Sequence, residues 1–391
     1  MNFRMASNEE IDILIVETSL LWIGGVQKHI FDLIRSINKN IFAITYCGKS
    51  ENVFTHILRK QGVDTRIIPF RSYFDIMNIL KLIRLIKTKK VKIIHTHTPG
   101  GGIVGRIAAL LAGRLIIIHT VHGPALIDRY EMADLRFVQK LKLRFLICIE
   151  RILDKQSDIL ITVCNADVEK LTNRGNIPKK GFAVIPYGVD IAAVHPTLDS
   201  FQTRKSLNIR QSDRLICTVA NLNEQKGLNY LIAASEDVAR SYKNVKFLVI
   251  GDGPLKSKLE YMIDELNLTD KVFLLGHRSD VYNILNTAEI FVLSSLWEGL
   301  PISLIEAMAL GKPVITTWVN GCKEIIDHGV NGLLVPPKNA TLLAIAIKDL
   351  LTNKKKALLF GERNVKIIQN RYGLSTMVRS IESLYLKIAK V

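Results

Sequence analysis

The chain has 391 residues, with 53 Lys+Arg against 36 Asp+Glu and a formal net charge of +17. Hydrophobic residues at 48% and charged ones at 23% exclude a disordered chain, and at about 150 residues per domain the length allows two or three cores. Five scattered cysteines without a Cys-x-x-Cys pair argue against a zinc site or disulfide framework and for a reducing compartment, and no apolar run reaches membrane-spanning length.

In chain order, the first ten residues, MNFRMASNEE, carry two glutamates and no apolar core. No secretion signal is expected, and the location expected is the cytoplasm. Near-continuous Ile/Val/Leu runs then predict strands at 11–17, 42–47, 65–70, 92–97, 115–121, 158–164 and 182–186. A second set follows at 214–220, 246–251, 271–275, 290–294 and 313–317. Such runs suit strands covered on both faces. Segments of helical length lie between them, among them 25–38, 75–90, 101–113, 226–240, 256–266 and 301–310. This alternation predicts an α/β protein with parallel sheets. A single sheet of a dozen strands is improbable. The polar stretch HPTLDSFQTRKS after Tyr187-Gly188-Val189-Asp190 places a boundary, giving Rossmann-like domains over 1–190 and 191–370 and a terminal helix over 371–391. Ligands of such sheets bind at the carboxyl ends of the strands, so two facing domains are expected to share a cleft.

The charge is uneven. Residues 1–190 hold 28 basic and 17 acidic side chains, and the remainder 25 and 19. Lys81, Arg84, Lys87, Lys89 and Lys90 cluster on DIMNILKLIRLIKTKK, and Lys140, Lys142, Arg144 and Arg151 on RFVQKLKLRFLICIER. These stretches fit either core-facing helices with a solvated basic face or an anionic membrane surface. Nucleic acid fits less well, because no RNP, zinc-finger or helix-turn-helix signature is present.

The sharpest segment runs from Glu298 through Gly-Leu-Pro-Ile-Ser-Leu-Ile to Glu306, after the strand EIFVLSS and into a helix. Pro301 is expected at the first helical position, where its missing N–H would have been unpaired anyway. The amides of Ile302, Ser303 and Leu304 are then open donors at the positive end of a helix, a seat for phosphate. Carboxylates beside a phosphate repel it, so Glu298 and Glu306 are read as acceptors from hydroxyls. Taken alone, the two glutamates are as readily surface residues beside a capped helix. Gly24-Gly25 lies between the first strand and a helix, either as an ordinary turn or as a close approach of backbone to phosphate. Lys226 sits in a loop after a strand, either solvated or neutralising a diphosphate. No D-x-D spacing occurs, so neither a metal site nor a cofactor is expected.

With these residues in view, Glu298 to Val314 resembles the E-x7-E signature of family 4 retaining glycosyltransferases, the group 1 set with the two-domain GT-B fold. Gly24-Gly25, His119-Thr-Val-His122-Gly and Ile185-Pro-Tyr-Gly-Val-Asp190 resemble further family segments. So do Val219-Ala-Asn-Leu222, Lys226-Gly227, Gly251-Asp-Gly-Pro254, Gly276-His-Arg278 and Asn331-Gly-Leu-Leu-Val335, in order and spacing. The resemblance implies a terminal helix that crosses back to the first domain. It also implies a hexosyl- or N-acetylhexosaminyl-transferase that retains configuration and needs no metal. The sugar would pass from a nucleotide-sugar donor to a glycan or lipid-linked acceptor, in cell-envelope polysaccharide or glycolipid synthesis, at the inner face of the membrane.

By the same resemblance His122 and Glu298 are catalytic. Gly25, Asn221, Lys226, Arg278, Ile302, Ser303, Leu304 and Glu306 bind the donor, and Gly24 stands on the acceptor side. His97 is placed there with it from the residues alone, and one face of that buried strand could hold His95 or His97 in the role. The family carries arginine where this chain has Asn221, which shifts leaving-group stabilisation onto Lys226 and the helix amides. Arg278 as a plain surface charge stays open. Two rival readings remain: a nucleotide-sugar 2-epimerase of the same architecture, and a non-catalytic partner that binds nucleotide sugar.

Overall fold

A computed structural model describes residues 10–18, 24–113, 115–123, 125–133 and 135–389. The N-terminal stretch read as lacking a secretion signal lies, Glu10 apart, outside the described residues. The chain divides into two compact units, one of Met1–Tyr130, Asp134–Pro186 and Ser375–Val391, the other of Glu131–Ala133 and Tyr187–Leu374.

Among the described residues the first unit has seven strands: β1 (Ile11–Val16), β2 (Phe42–Gly48), β3 (Asp64–Ile67), β4 (Ile93–His97), β5 (Ile116–Val121), β6 (Ile159–Thr162) and β7 (Phe182–Val184). They pair in parallel in the order β3-β2-β1-β4-β5-β6-β7. β1 is interior, with Ile13 opposite Ile44 on one side and Ile93 on the other. Ile13 to Val16 are at most 1% exposed, which explains why this strand reads as an unbroken apolar run. The terminal helix Leu374–Ala389 belongs almost wholly to this unit. Its Tyr385 ring is fully buried and packs edge-on to Phe42 at 5.7 Å.

The second unit has, among the described residues, β8 (Arg214–Val219), β9 (Val245–Ile250), β10 (Val272–Leu274), β11 (Ile290–Leu293), β12 (Val314–Thr317) and β13 (Leu333–Val335), again parallel, in the order β10-β9-β8-β11-β12-β13. β13 was not expected as a strand. Three residues carry too little periodicity to register, and its place at the sheet edge comes from pairing with β12. The chain enters and leaves this unit side by side: Val189 N–H donates to Tyr372 O and Leu374 N–H to Val189 O, each at 2.9 Å.

In both sheets the strand order reverses beside the first strand, between β1 and β4 and between β8 and β11. Loops leaving such a pair turn to opposite sides and open a crevice at the carboxyl end of the sheet, where ligands of open α/β sheets bind.

The two basic stretches form the helices Ile76–Thr88 and Phe137–Gln156. Each has a narrow core face, Ile79, Leu82 and Ile86 on one and Leu143, Leu146 and Leu153 on the other. The opposite faces carry large exposed apolar residues as well as cations, a point developed below. Among the described residues no helix is long and apolar enough to cross a membrane.

Candidate active site

In the second unit the loops after β8 and β11 hold the expected pair of charges. The chain leaves β8 through Asn221, which is exposed, into the short 3-10 turn Glu224–Lys226, ended by Gly227 at φ +56. A Cβ on Gly227 would lie 2.3 Å from the Ser294 carbonyl oxygen, so this left-handed residue must be glycine for the turn to rest on the loop after β11. The loops are laced by Leu296 N–H donating to Gln225 O at 2.7 Å and the Ser294 hydroxyl donating to Lys226 O at 3.0 Å. Lys226 Nζ thereby meets Glu298 Oε1. That oxygen also accepts the Ser295 hydroxyl at 2.7 Å, and Glu298 Oε2 accepts the Gln225 amide at 3.2 Å. The Glu298 side chain is 6% exposed and that of Lys226 15%. An ammonium has three protons, so the bond to Glu298 leaves two for another acceptor.

The helix after Glu298 begins one residue later than expected. Pro301 is its N-cap at φ −74 and ψ 118, and the helix runs Ile302–Ala309. The Pro301 carbonyl accepts the Leu304 amide at 3.1 Å and the Ile305 amide at 3.3 Å. The expectation of three open amides is therefore corrected: the tightened first turn uses that of Leu304, and those of Ile302 and Ser303 find no partner among the described residues. Glu306 is buried in the same helix and accepts the Tyr282 hydroxyl at 2.8 Å. Arg278 is partly exposed and paired. Its guanidinium makes two bonds to Asp280, at 2.8 and 2.7 Å, and these hold the Asp280 carboxyl below its ordinary range. The loop carrying it is tied to the Gly251 turn by Gly251 N–H donating to Gly276 O at 2.9 Å.

Sequence reasoning missed three residues around Glu298: Gln225, Ser295 and Gly321. A Cβ on Gly321 would fall 1.7 Å from the Gly299 carbonyl oxygen, so the backbone there lies directly on the Glu298 loop. The local signal for it is a glycine opening the segment after strand 313–317.

In the first unit Glu17, at the carboxyl end of β1, is 2% exposed and accepts the Tyr46 hydroxyl at 3.0 Å and the Gln27 amide at 3.3 Å. Gln27 in turn accepts the Gly24 amide at 3.1 Å. The Gly24 N–H is thus used within the turn, while Gly25 opens the helix Gly25–Ser36.

The expected imidazoles of His97, at the end of β4, and His122, after β5, come together. His97 Nδ1 and His122 Nε2 are 2.9 Å apart and the rings stack at 5.1 Å. His95 lies 4.2 Å from His97, held by the Tyr385 hydroxyl at 2.5 Å and the Thr120 hydroxyl at 2.6 Å. His29 completes the group, 5.4 Å from His122 and 5.9 Å from His97. Burial pushes His29 down to about 4 and His95 to about 3. Burial, then the neighbouring imidazoles, hold His97 and His122 well below 6.5. All four are neutral at pH 7, and a neutral imidazole both donates and accepts, as a sugar hydroxyl does. His29 and Tyr385 were not singled out in the sequence. His29 is one helical turn before the buried Leu33, a spacing that marks an inward face, whereas Tyr385 is 290 residues from His95 and leaves no local trace.

The sequence profile described as "Glycosyl transferases group 1" matches residues 199–367, and that described as "Glycosyltransferase Family 4" matches 23–193. The chain is 30% identical over 316 residues, 80% of its length and 79% of the relative's, to the UDP-Gal:alpha-D-GlcNAc-diphosphoundecaprenol alpha-1,3-galactosyltransferase of Escherichia coli. It is 26% identical over 353 residues, 86% of its length and 90% of the relative's, to the capsular polysaccharide biosynthesis glycosyltransferase CapM of Staphylococcus aureus. Among solved structures, Anabaena Alr3699/HepE in complex with UDP and glucose superposes with a TM-score of 0.84 at 20% identity, covering 97% of this chain and 100% of the other. At that identity the likeness shows the GT-B fold alone.

Proposed function

The chain belongs to family 4 of the glycosyltransferases, the group 1 set, and from that premise we propose that it transfers a sugar with retention of configuration and without a metal ion. It is a glycosyltransferase acting on a nucleotide-sugar donor. The observation that carries the finer reading is the Lys226–Glu298 pair at the carboxyl end of β8 and β11, followed by a helix whose first two amides find no partner among the described residues. As the bond from the anomeric carbon to the diphosphate breaks, its electron pair passes to a diphosphate oxygen. Lys226 and the Ile302 and Ser303 amides stabilise the charge that grows there. The acceptor hydroxyl bonds to the same face of the anomeric carbon and gives its proton to the departing diphosphate. The oxocarbenium-like centre is met by Glu298 and Glu306 through the sugar hydroxyls.

The acceptor is a glycan or a lipid-linked sugar of the cell envelope. Support comes from the two relatives named for a diphosphoundecaprenol acceptor and for capsular polysaccharide. Contact with the inner face of an anionic membrane goes with this reading, through the helices Ile76–Thr88 and Phe137–Gln156. Flotation on anionic vesicles tests it, and equal failure to float on anionic and neutral vesicles refutes it.

The transfer itself is tested by incubating the chain with UDP-, GDP- and ADP-sugars, with EDTA present, and following nucleotide release and the anomer formed. Turnover that EDTA abolishes removes the metal-free reading. An inverted product removes retention.

A further inference from the structure

The first unit holds a cavity of about 640 Å³ that none of the site residues above explains. It opens beside the carboxyl ends of β1 and β4, floored by Thr98, Pro99 and Gly100. Its walls divide by chemistry. Lys49, Arg71 and Lys142 reach it from three separate segments, and none of the three forms an ion pair with a described residue. Two carboxylates stand near the lining: Glu150, which acts on Tyr73 and whose own carboxyl burial pushes up to about 7, and Asp75. Asp75 is taken up by the Arg71 backbone N–H and the Asn78 side chain, and its ionised form also feels Arg71. The rest of the lining is aromatic or aliphatic, with Tyr73, Phe74 and Phe145 prominent.

The rim continues onto the surface. Phe74 and Phe145 are 49% and 59% exposed, and their rings are 6.4 Å apart. From Phe145 an apolar stripe runs along one side of its helix through Leu141 to Phe137, at i, i+4 and i+8. From Phe74 the exposed Ile76, Met77 and Leu80 continue it on the other helix. An apolar face of this size on solvent, with cations beside it, is uncommon unless something covers it. Three cations around one cavity, none in an ion pair with a described residue, call for an anion of more than one charge, and the stripe calls for a long apolar chain.

We propose that the cavity seats a diphosphate joined to a long apolar chain, the phosphates on Lys49, Arg71 and Lys142 and the chain leaving over Phe74 and Phe145 along the stripe. The inference rests on the transferase reading in one respect, that such an amphiphile is the carrier of the acceptor sugar.

Binding is tested by calorimetry on the full chain, with no donor, using farnesyl diphosphate as probe and farnesol and inorganic pyrophosphate as its two halves. The expected result is binding of farnesyl diphosphate at least about ten-fold tighter than either half, with Lys49→Ala/Lys142→Ala weakening it by about ten-fold or more. Phe74→Ser/Phe145→Ser weakens farnesyl diphosphate but not pyrophosphate. Lys226→Ala, in the other unit, leaves the affinity unchanged. No binding, equal binding of pyrophosphate or farnesol, or insensitivity to both surface pairs overturns the proposal. So does a loss on Lys226→Ala as large as that of the lysine pair, since it would place the probe in the donor site. Calorimetry needs no turnover, so a chain that binds the probe but releases no nucleotide separates this inference from the transferase reading.

Discussion

Replacing Lys226 by alanine separates what the Lys226–Glu298 pair does for the fold from what it does for the reaction. The substitution leaves a carboxylate that is 6% exposed, with the Ser295 hydroxyl and the Gln225 amide as its donors. Removing one partner of a buried ion pair costs about 3–5 kcal/mol, and the two hydrogen bonds that remain recover part of it, so a loss of about 2–4 kcal/mol is expected. For a unit the size of 187–374 that lowers the melting midpoint by roughly 4–16 °C. Adding Glu298→Gln removes the stranded charge while keeping its size, and most of the stability returns. Activity behaves differently. Lys226 faces the charge that grows on the leaving diphosphate, so kcat falls by about 10²–10³ in the single variant, and the double variant, which also lacks the Glu298 carboxylate, recovers none of it. Thermal unfolding followed by circular dichroism, with nucleotide release measured on the same preparations, checks both arms. A Lys226→Ala protein as stable as the parent, or a double variant no more stable than the single one, refutes the buried-pair reasoning. Unchanged kcat refutes the role at the diphosphate.

The imidazole cluster gives a pH dependence whose sign is fixed. His29 and His95 are lowered to about 4 and about 3 from 6.5 in the folded chain, so as pH falls below 6.5 the unfolded chain takes up protons that the folded one refuses. Stability is full above that pH and declines by a few kcal/mol toward the folded values; melting temperatures across the range check this, and His29→Gln flattens the slope. Tyr385→Phe removes the hydroxyl on His95 Nδ1 and strands a buried ring nitrogen, for a loss of about 1–3 kcal/mol in urea unfolding, whereas no loss would mean that the 2.5 Å contact contributes nothing. Gly321→Ala drives a Cβ into the Gly299 carbonyl and displaces the Glu298 loop. Nucleotide release then falls well out of proportion to the drop in melting temperature, and proportionate losses would contradict the placement.

The legible parts of the molecule were those fixed by local chemistry. All twelve expected strands form, because a buried parallel strand must be apolar on both faces and so writes an unbroken run into the sequence. β13 escaped because its Leu-Leu-Val leaves no period to detect. At the helix start after Glu298 the proline was rightly taken as a boundary, but a residue that caps and one that opens a helix differ only in ψ, which composition does not carry. The Lys226–Glu298 bond could not be read at all. The two residues are 72 positions apart, and their meeting depends on β8 and β11 being neighbours, a property of strand order. The histidines were half legible. His97 and His122 end strands that read clearly, but their contact requires β4 and β5 in register, with His97 opposite Thr120.

That dependence on strand order also explains how the charge is distributed. In the second unit the cations near the site are already answered, Lys226 by Glu298 and Arg278 by Asp280. Answered cations are held in place and add little field at a distance, which suits a site that must present fixed dipoles to one developing charge. In the first unit Lys49, Arg71 and Lys142 form no ion pair with a described residue, and the exposed Lys81, Arg84, Lys140 and Arg144 stand on the same two helices as the apolar stripe. Such cations project a field over about a Debye length and draw an anionic partner toward the surface before any contact forms. The surplus of basic residues in the first 190 positions is therefore a long-range feature of the unit with the unexplained cavity, whereas the chemistry proposed for the second unit rests on a pair whose net charge is zero.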